Sequence, residues 1–191
     1  MLNSESNIIP DHQTTSSEKR IVKPSHLWNV FRQEILQKDN PNIYIIGTDT
    51  KALLTQAICT DLKDKAYTIT IIEGNQKIID LATETLKKAD IKNVNFIHGM
   101  FPDNLSSEFD DNQQFDLILG SYLIRHIEKK KREHFILSAL NLLSSEAPLG
   151  LSSFPVEDIG LAIEFKSKRL SFTQKSLSIP FGSVFIFRKN T

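Results

Sequence analysis

Four places in this chain combine residue types and spacing that could hold or transform a small molecule. Gly47-Thr48-Asp49-Thr50 is a turn between an apolar run and a helical pattern. A turn that opens a helix leaves backbone N–H groups unpaired, and these suit an anionic group. Glu73 closes the next apolar run, roughly 20 or more residues past the turn, where a carboxylate suits the hydroxyls of a ribose. The plainer reading of Glu73 is a solvated acid at a strand end, with about equal weight, and that of Gly47 is an ordinary turn glycine. Gly99 and Met100 follow a third apolar run, and Tyr122 and His126 follow a fourth. His126 could accept a proton from an amine or hydroxyl near neutral pH, although such a histidine is more often structural or solvated.

The elements that must position these residues are legible around them. Asn42-Ile43-Tyr44-Ile45-Ile46 and Thr68-Ile69-Thr70-Ile71-Ile72 are β-branched runs, as strands buried on both faces should be. Between them lies a helix over about Lys51 to Leu62, which Thr50 or Asp49 can cap. A βαβ unit of this kind puts a helix N-terminus and a carboxylate at one edge of a parallel sheet, the edge where open α/β sheets bind ligands. A helix from Asn75 to Ala89, a strand from Asn93 to His98, a loop to Gln114 and a strand from Phe115 to Gly120 follow. Ile127 to Leu143 reads as a helix whose run Glu128-Lys129-Lys130-Lys131-Arg132-Glu133 is a solvated face, with a phosphate-binding patch as the lesser reading. A fifth strand is predicted over about Leu149 to Phe154 and a helix over Val156 to Arg169. Leu170 to Ile179 and Ser183 to Arg188 are two more strands, joined at Pro180-Phe181-Gly182 by a link too short for a parallel crossover. The predicted class is an α/β three-layer sandwich with a mostly parallel seven-stranded sheet and an antiparallel last strand.

Ahead of this, residues 1–20 read as a flexible polar arm and 21–191 as a single domain. Ser25 begins a helix whose stripe of Leu27, Trp28, Phe31, Ile35 and Leu36 covers the core. The sharper reading makes it a lid with Trp28 near a ligand. Lys plus Arg and Asp plus Glu are 23 each, so the formal net charge is zero and no global field favours nucleic acid. The single cysteine, Cys59, excludes an intrachain disulfide and a multi-cysteine metal site, and is expected to be a small buried apolar residue. His98 and His134 lack the spacing of a metal site, and no metal is expected. With no signal peptide and no membrane-spanning run legible, the expected location is cytoplasmic, with surface attachment to a membrane still open.

From Ile43 to Arg188 the chain resembles the class I S-adenosylmethionine-dependent methyltransferases. Ile43 to Lys51 falls on that superfamily's glycine-rich first motif, Glu73 on its ribose-binding acid, Asn93 to Met100 on its third strand and Phe115 to Leu119 on its fourth. Within it, the chain is most similar to bacterial phospholipid N-methyltransferases. The segments that carry this are Val22-Lys23-Pro24-Ser25, Asp116 through Leu143, Ala147-Pro148-Leu149-Gly150, Ser152-Ser153-Phe154, and Ile179 to Arg188. The resemblance implies a Rossmann-like fold and S-adenosyl-L-methionine as cofactor. It puts Gly47, Thr48, Asp49, Glu73, Gly99 and Met100 at the cofactor, and Tyr122 and His126 at the substrate as catalytic candidates. It also implies a small-molecule or lipid-headgroup acceptor, in particular a phospholipid amine, with weak peripheral membrane contact and no nucleic acid. Tyr122, Phe154 and Phe181 could frame a cationic headgroup through their ring faces, although core packing is the commoner role.

The first motif is degenerate. Ile45 stands at the family's acid position, Asp49 and Lys51 at two glycine positions, and Met100 where many relatives place an acid for the adenine amine. Two expectations therefore stand side by side: an active S-adenosylmethionine-dependent methyltransferase, and an inactive methyltransferase-like binding or scaffold module, a pseudoenzyme with a lost or weak cofactor site. A dinucleotide-binding protein is the weaker third reading, since no G-x-G-x-x-G is present.

Overall fold

The computed structural model describes residues 25–103, 113–153, 172–179 and 182–189. In chain order these form α1 (Ser25–Leu36), β1 (Asn42–Ile46), α2 (Leu53–Leu62), β2 (Thr68–Glu73), α3 (Gln76–Lys88), β3 (Val94–His98), β4 (Leu117–Gly120), α4 (Arg132–Asn141), β5 (Leu149–Ser153), β6 (Phe172–Ile179) and β7 (Gly182–Lys189). The strands make one seven-stranded sheet in the order β3-β2-β1-β4-β5-β7-β6. The pairs β3–β2, β2–β1, β1–β4 and β4–β5 are parallel. Strand β7 runs antiparallel to both β5 and β6, as the short link between β6 and β7 requires. The expected polar arm, the helix over Val156 to Arg169, and Phe154 and Phe181 lie outside the described residues.

Strand β1 is the middle one of the five parallel strands, and its side chains alternate between two apolar faces. Ile43 and Ile45 pack with Ile69, Ile71, Leu117 and Leu119 against α1 and α2. Tyr44 and Ile46 pack with Phe135, Ile136, Ala139 and Leu140 of α4 on the opposite face. Helix α3 covers the β2–β3 end through Ala82 and Leu86, beside Ala52. A strand with both faces covered is largely apolar, which is why β1 and β2 read as β-branched runs. At the opposite edge from the predicted site, Asp116 fastens the first residues of β1. One carboxylate oxygen accepts the Asn42 N–H at 2.9 Å and the other the Lys38 ammonium at 2.8 Å.

Helix α1 is a structural cover, which corrects the reading of Trp28 as part of a lid. The indole is 1% exposed, and its Nε1 donates to Asp61 at 2.6 Å. Arg32 Nε and Nη2 reach the same carboxylate at 2.8 Å each. Asp61 lies in the last turn of α2, at the far end of that helix from the Gly47 turn. The Arg32 hydrogen bond holds the Asp61 carboxyl below the usual carboxylate range. Cys59 is buried, as expected of a small apolar residue, and burial pushes its thiol up.

Two helix starts differ from the sequence pattern. Helix α2 begins at Leu53 rather than Lys51, because Ala52 adopts a left-handed conformation (φ 47°, ψ 42°) that cannot continue a helix backwards. The helix predicted from Ile127 is shorter. Two 3-10 turns, Ile124–His126 and Lys129–Lys131, precede α4. The extended ψ of Ile127 (124°) and Glu128 (135°) interrupts the spiral. Within the charge run, Glu128 pairs with Lys130 at 3.1 Å and Lys131 at 3.7 Å on exposed surface, in keeping with a solvated face.

Two predictions follow from this packing. A methyl group on Gly150 would lie 2.4 Å from a Phe31 ring carbon. Gly150→Ala should therefore lower the urea midpoint by an amount equivalent to about 1–3 kcal/mol, with Phe31→Leu in the same chain recovering part of the loss. The Asp61 cluster contributes stability above the unfolded aspartate pKa of about 3.9, and loses it as pH falls through the lower folded value. Asp61→Asn should flatten the fall in urea midpoint below about pH 4; an unchanged acid profile would show that the cluster does not contribute.

Candidate functional site

The sheet register brings the predicted residues to one edge. Ile46 pairs with Ile72 on one side and with Gly120 on the other. Glu73 pairs with His98, and Gly120 with Leu151. The residues at or just past the ends of these strands, Gly47, Glu73, Gly99, Ser121-Tyr122 and Ser152, therefore form a row at the carboxyl ends of the parallel strands. Open α/β sheets receive ligands at this edge, where β1 separates the half that winds toward β3 from the half that winds toward β5.

Gly47 makes the exit from β1 possible. Its φ is +77°, which side chains rarely tolerate. Its N–H still closes the ladder on the Ile72 carbonyl at 2.8 Å. A Cβ built on it would lie 4.0 Å from Glu73 Oε2, so the turn and the carboxylate are direct neighbours.

Glu73 ties two turns together. Its Oε2 accepts the Thr48 N–H at 3.1 Å and its Oε1 the Asn75 N–H at 2.9 Å. The side chain is half-buried. A carboxylate has about four acceptor sites, so each oxygen retains capacity for a further donor such as a hydroxyl. Asn75 caps α3 by accepting the Lys77 N–H at 3.0 Å, which fixes the second turn. Past β3, the Gly99 N–H donates to the Glu73 carbonyl at 3.1 Å, and the His98 ring nitrogen lies 3.2 Å from the Gly74 carbonyl. Met100 is 62% exposed. Its thioether lies over Gly74, where an added Cβ would come within 2.5 Å of the sulfur. The edge thus presents a carboxylate flanked by an apolar thioether surface.

The resemblance puts Asp49 at the cofactor, but its side chain is engaged by its own backbone. Its carboxylate turns back onto the chain, Oδ1 accepting the Lys51 N–H at 2.7 Å and Oδ2 the Leu53 N–H at 3.3 Å. It thereby accepts the first N–H of α2 from three residues before the N-cap, which is Ala52 and neither of the two residues expected to cap the helix. Thr50 instead offers its carbonyl to the Thr85 hydroxyl at 3.2 Å. Lys51 is held at its carbonyl by the Gln56 amide at 2.6 Å. The strained position of this turn is Ala52, not Asp49 or Lys51.

Tyr122 also lies in the left-handed region, at φ 53°. Ser152 holds it there, since the Tyr122 N–H meets the Ser152 carbonyl and hydroxyl at 3.1 Å each. Desolvation pushes the half-buried phenol up, so it is neutral near pH 7. Backbone strain of this kind concentrates at functional sites. His126 is exposed on the 3-10 turn beyond Tyr122. Among the described residues no three His, Cys, Asp or Glu side chains converge as a metal site would require, and no helix is long and apolar enough to cross a membrane.

Three contributors were not singled out from the sequence. Asn75 is visible as a polar residue before a helical pattern, but its link to Glu73 depends on tertiary placement. Ser152 looks like any small strand residue. Ala52 carries no signal, since alanine is the best helix former and gives no hint of a left-handed conformation.

No protein-family model matches the chain, and no curated protein matches it in sequence. Solved structures match it in fold. An rRNA methylase from Streptococcus thermophilus superposes with a TM-score of 0.63 at 13% identity, over 90% of this chain and 99% of that one. A methyltransferase from Pyrococcus furiosus gives 0.64 at 12% identity, over 88% and 84%. A precorrin-6y methyltransferase from Geobacter metallireducens gives 0.61 at 18% identity, over 88% and 90%. The chain therefore has the Rossmann-like methyltransferase fold, the class its alternating pattern implies.

The bonds from Glu73 to the two turns carry a stability prediction. Glu73→Ala should still fold but lose about 1–3 kcal/mol, because two backbone N–H groups lose a charged acceptor. Glu73→Gln, which keeps one acceptor oxygen, should lose less. Equal urea midpoints for all three proteins would show that the carboxylate does not tie the turns together.

Proposed function

We propose that the chain is an S-adenosylmethionine-dependent methyltransferase whose cofactor lies across the carboxyl ends of β1, β2 and β4. The observation that carries this is Glu73, at the end of β2 beside the Gly47 turn, with acceptor capacity on both oxygens. Gly47 and Thr48 would line the turn, Glu73 would accept the ribose hydroxyls, and Gly99 with the Met100 thioether would border the adenine. The residues present fit the nucleoside half of the cofactor. They fit the methionine carboxylate poorly, because Asp49 already occupies turn N–H groups.

The cofactor would supply an activated methyl group on a sulfonium, so the protein needs chiefly to position an acceptor and exclude water. Tyr122, held by Ser152 at the same edge, would orient the acceptor, and its neutral phenol can donate a hydrogen bond there. His126 would receive the proton an amine acceptor loses. The narrower acceptor, a phospholipid amine headgroup, rests on the resemblance over Asp116 to Leu143, Ala147 to Gly150 and the closing strand. A formally neutral chain also supports a small or lipid-headgroup acceptor over one bound through a phosphate backbone. Methyl transfer to phosphatidylethanolamine vesicles, against soluble amines as control, tests that choice. Salt-resistant sedimentation with vesicles would overturn the weak, peripheral contact expected.

A second reading is favoured by one observation. With Ile45 buried at 1% exposure and Asp49 closing the turn, the cofactor site is weakened, as in a binding or scaffold module that has kept the fold.

Titration distinguishes the two. The natural protein should bind S-adenosylmethionine with a dissociation constant on the order of tens of micromolar. Glu73→Gln, checked for folding, should bind at least about tenfold more weakly, since the carboxylate's charge-assisted bonds to hydroxyls are weakened. Unchanged affinity would remove Glu73 from the site, and no measurable binding by the natural protein would favour the scaffold module.

A further inference from the structure

We infer that Asp49 is a specificity-determining residue: it supplies from within the chain the carboxylate that a ligand would otherwise bring to the turn. This rests on the cofactor-site reading above and adds to it which part of the ligand the protein recognises.

The argument is a count of donors. From Gly47 to Leu53, five backbone N–H groups are already donated within the chain: Gly47 to Ile72, Thr48 to Glu73, Lys51 and Leu53 to the Asp49 carboxylate, and Ala52 to the Asp49 carbonyl. One of the two on Asp49 oxygens, Leu53, is the first residue of α2, and the other, Lys51, lies in the turn before it. Such groups, with the positive end of the helix dipole behind them, bind carboxylates and phosphates. An incoming carboxylate can reach Lys51 N and Leu53 N only by displacing Asp49. The exchange replaces one charged acceptor by another, and leaves the displaced aspartate beside the ligand with like charge. On these two donors a ligand gains little by carrying a carboxylate.

The nucleoside half meets the opposite situation. Glu73 retains acceptor capacity on both oxygens beside the Gly47 turn, and Met100 exposes its thioether beside Gly74. Affinity at this edge therefore comes from an adenosine moiety, and the chemical class it takes is 5′-thioadenosine compounds, with or without an amino-acid tail. The turn ignores the tail because Asp49 mimics it.

A matched pair of ligands tests this. S-adenosylhomocysteine and 5′-methylthioadenosine share the adenosine and the thioether, and differ in the tail that bears the carboxylate. Isothermal titration of the natural protein should give dissociation constants for the two within about threefold. In Asp49→Gly, which frees Lys51 N and Leu53 N, S-adenosylhomocysteine should bind at least about tenfold more tightly while methylthioadenosine stays within about threefold. Asp49→Asn keeps one acceptor and removes the charge, so it should shift the ratio in the same direction and serves if the glycine variant does not fold. A natural protein that prefers S-adenosylhomocysteine by about tenfold, or variants that move both ligands together, would overturn this inference and leave the cofactor-site reading standing. Failure of both nucleosides to bind any of the folded proteins would overturn the two together.

Discussion

Everything at the candidate site depends on the parallel ladder through β1. Its pairing with β2 on one side and β4 on the other sets Ile46, Ile72 and Gly120 level. The chain must then leave the sheet at Gly47, Glu73 and Ser121 in one row. Apolar contacts on both faces lock that register, because a slip by one residue would turn Ile43 and Ile45 toward α4 and Tyr44 toward α1 and α2. The position of the chemistry is thus a consequence of core packing.

The edge itself is organised by carboxylates that serve the backbone first. Glu73 holds Thr48 and Asn75, Asp49 holds Lys51 and Leu53, and at the opposite edge Asp116 holds Asn42. Each satisfies N–H groups that a strand end or helix start leaves unpaired. The difference between Glu73 and Asp49 lies in what remains. Glu73 keeps acceptor sites on both oxygens beside the Gly47 turn, so it can serve the fold and a ligand together. Asp49 closes on the donors that would face a ligand.

The helices carry the less visible constraint. Phe31 packs where Gly150 leaves no side chain, and Trp28 and Arg32 close on Asp61, so α1 is fixed to the sheet and to α2. That makes α1 part of the rigid frame. Tyr122, strained and held by Ser152 over β4, is the position on the acceptor side where the frame meets the site.

The sequence by itself determined the architecture. Strands covered on both faces are largely apolar, and helices between them must show their own period, so the order of elements, the antiparallel β6–β7 pair and the edge carrying Gly47 and Glu73 were legible. It also marked Asp49 and Lys51 as departures from a glycine-rich turn. Only the tertiary structure decided what those departures do. Direction is not written in residue type: an aspartate after a strand can face a ligand or fold onto its own backbone, and the choice depends on which N–H groups the turn leaves within reach. The same holds for Ala52, whose left-handed backbone alanine does nothing to announce, and for Trp28, whose indole found Asp61 on a neighbouring helix. Local periodicity records burial, whereas hydrogen-bond partners across turns and helices are set by three-dimensional distances that the periodicity does not contain.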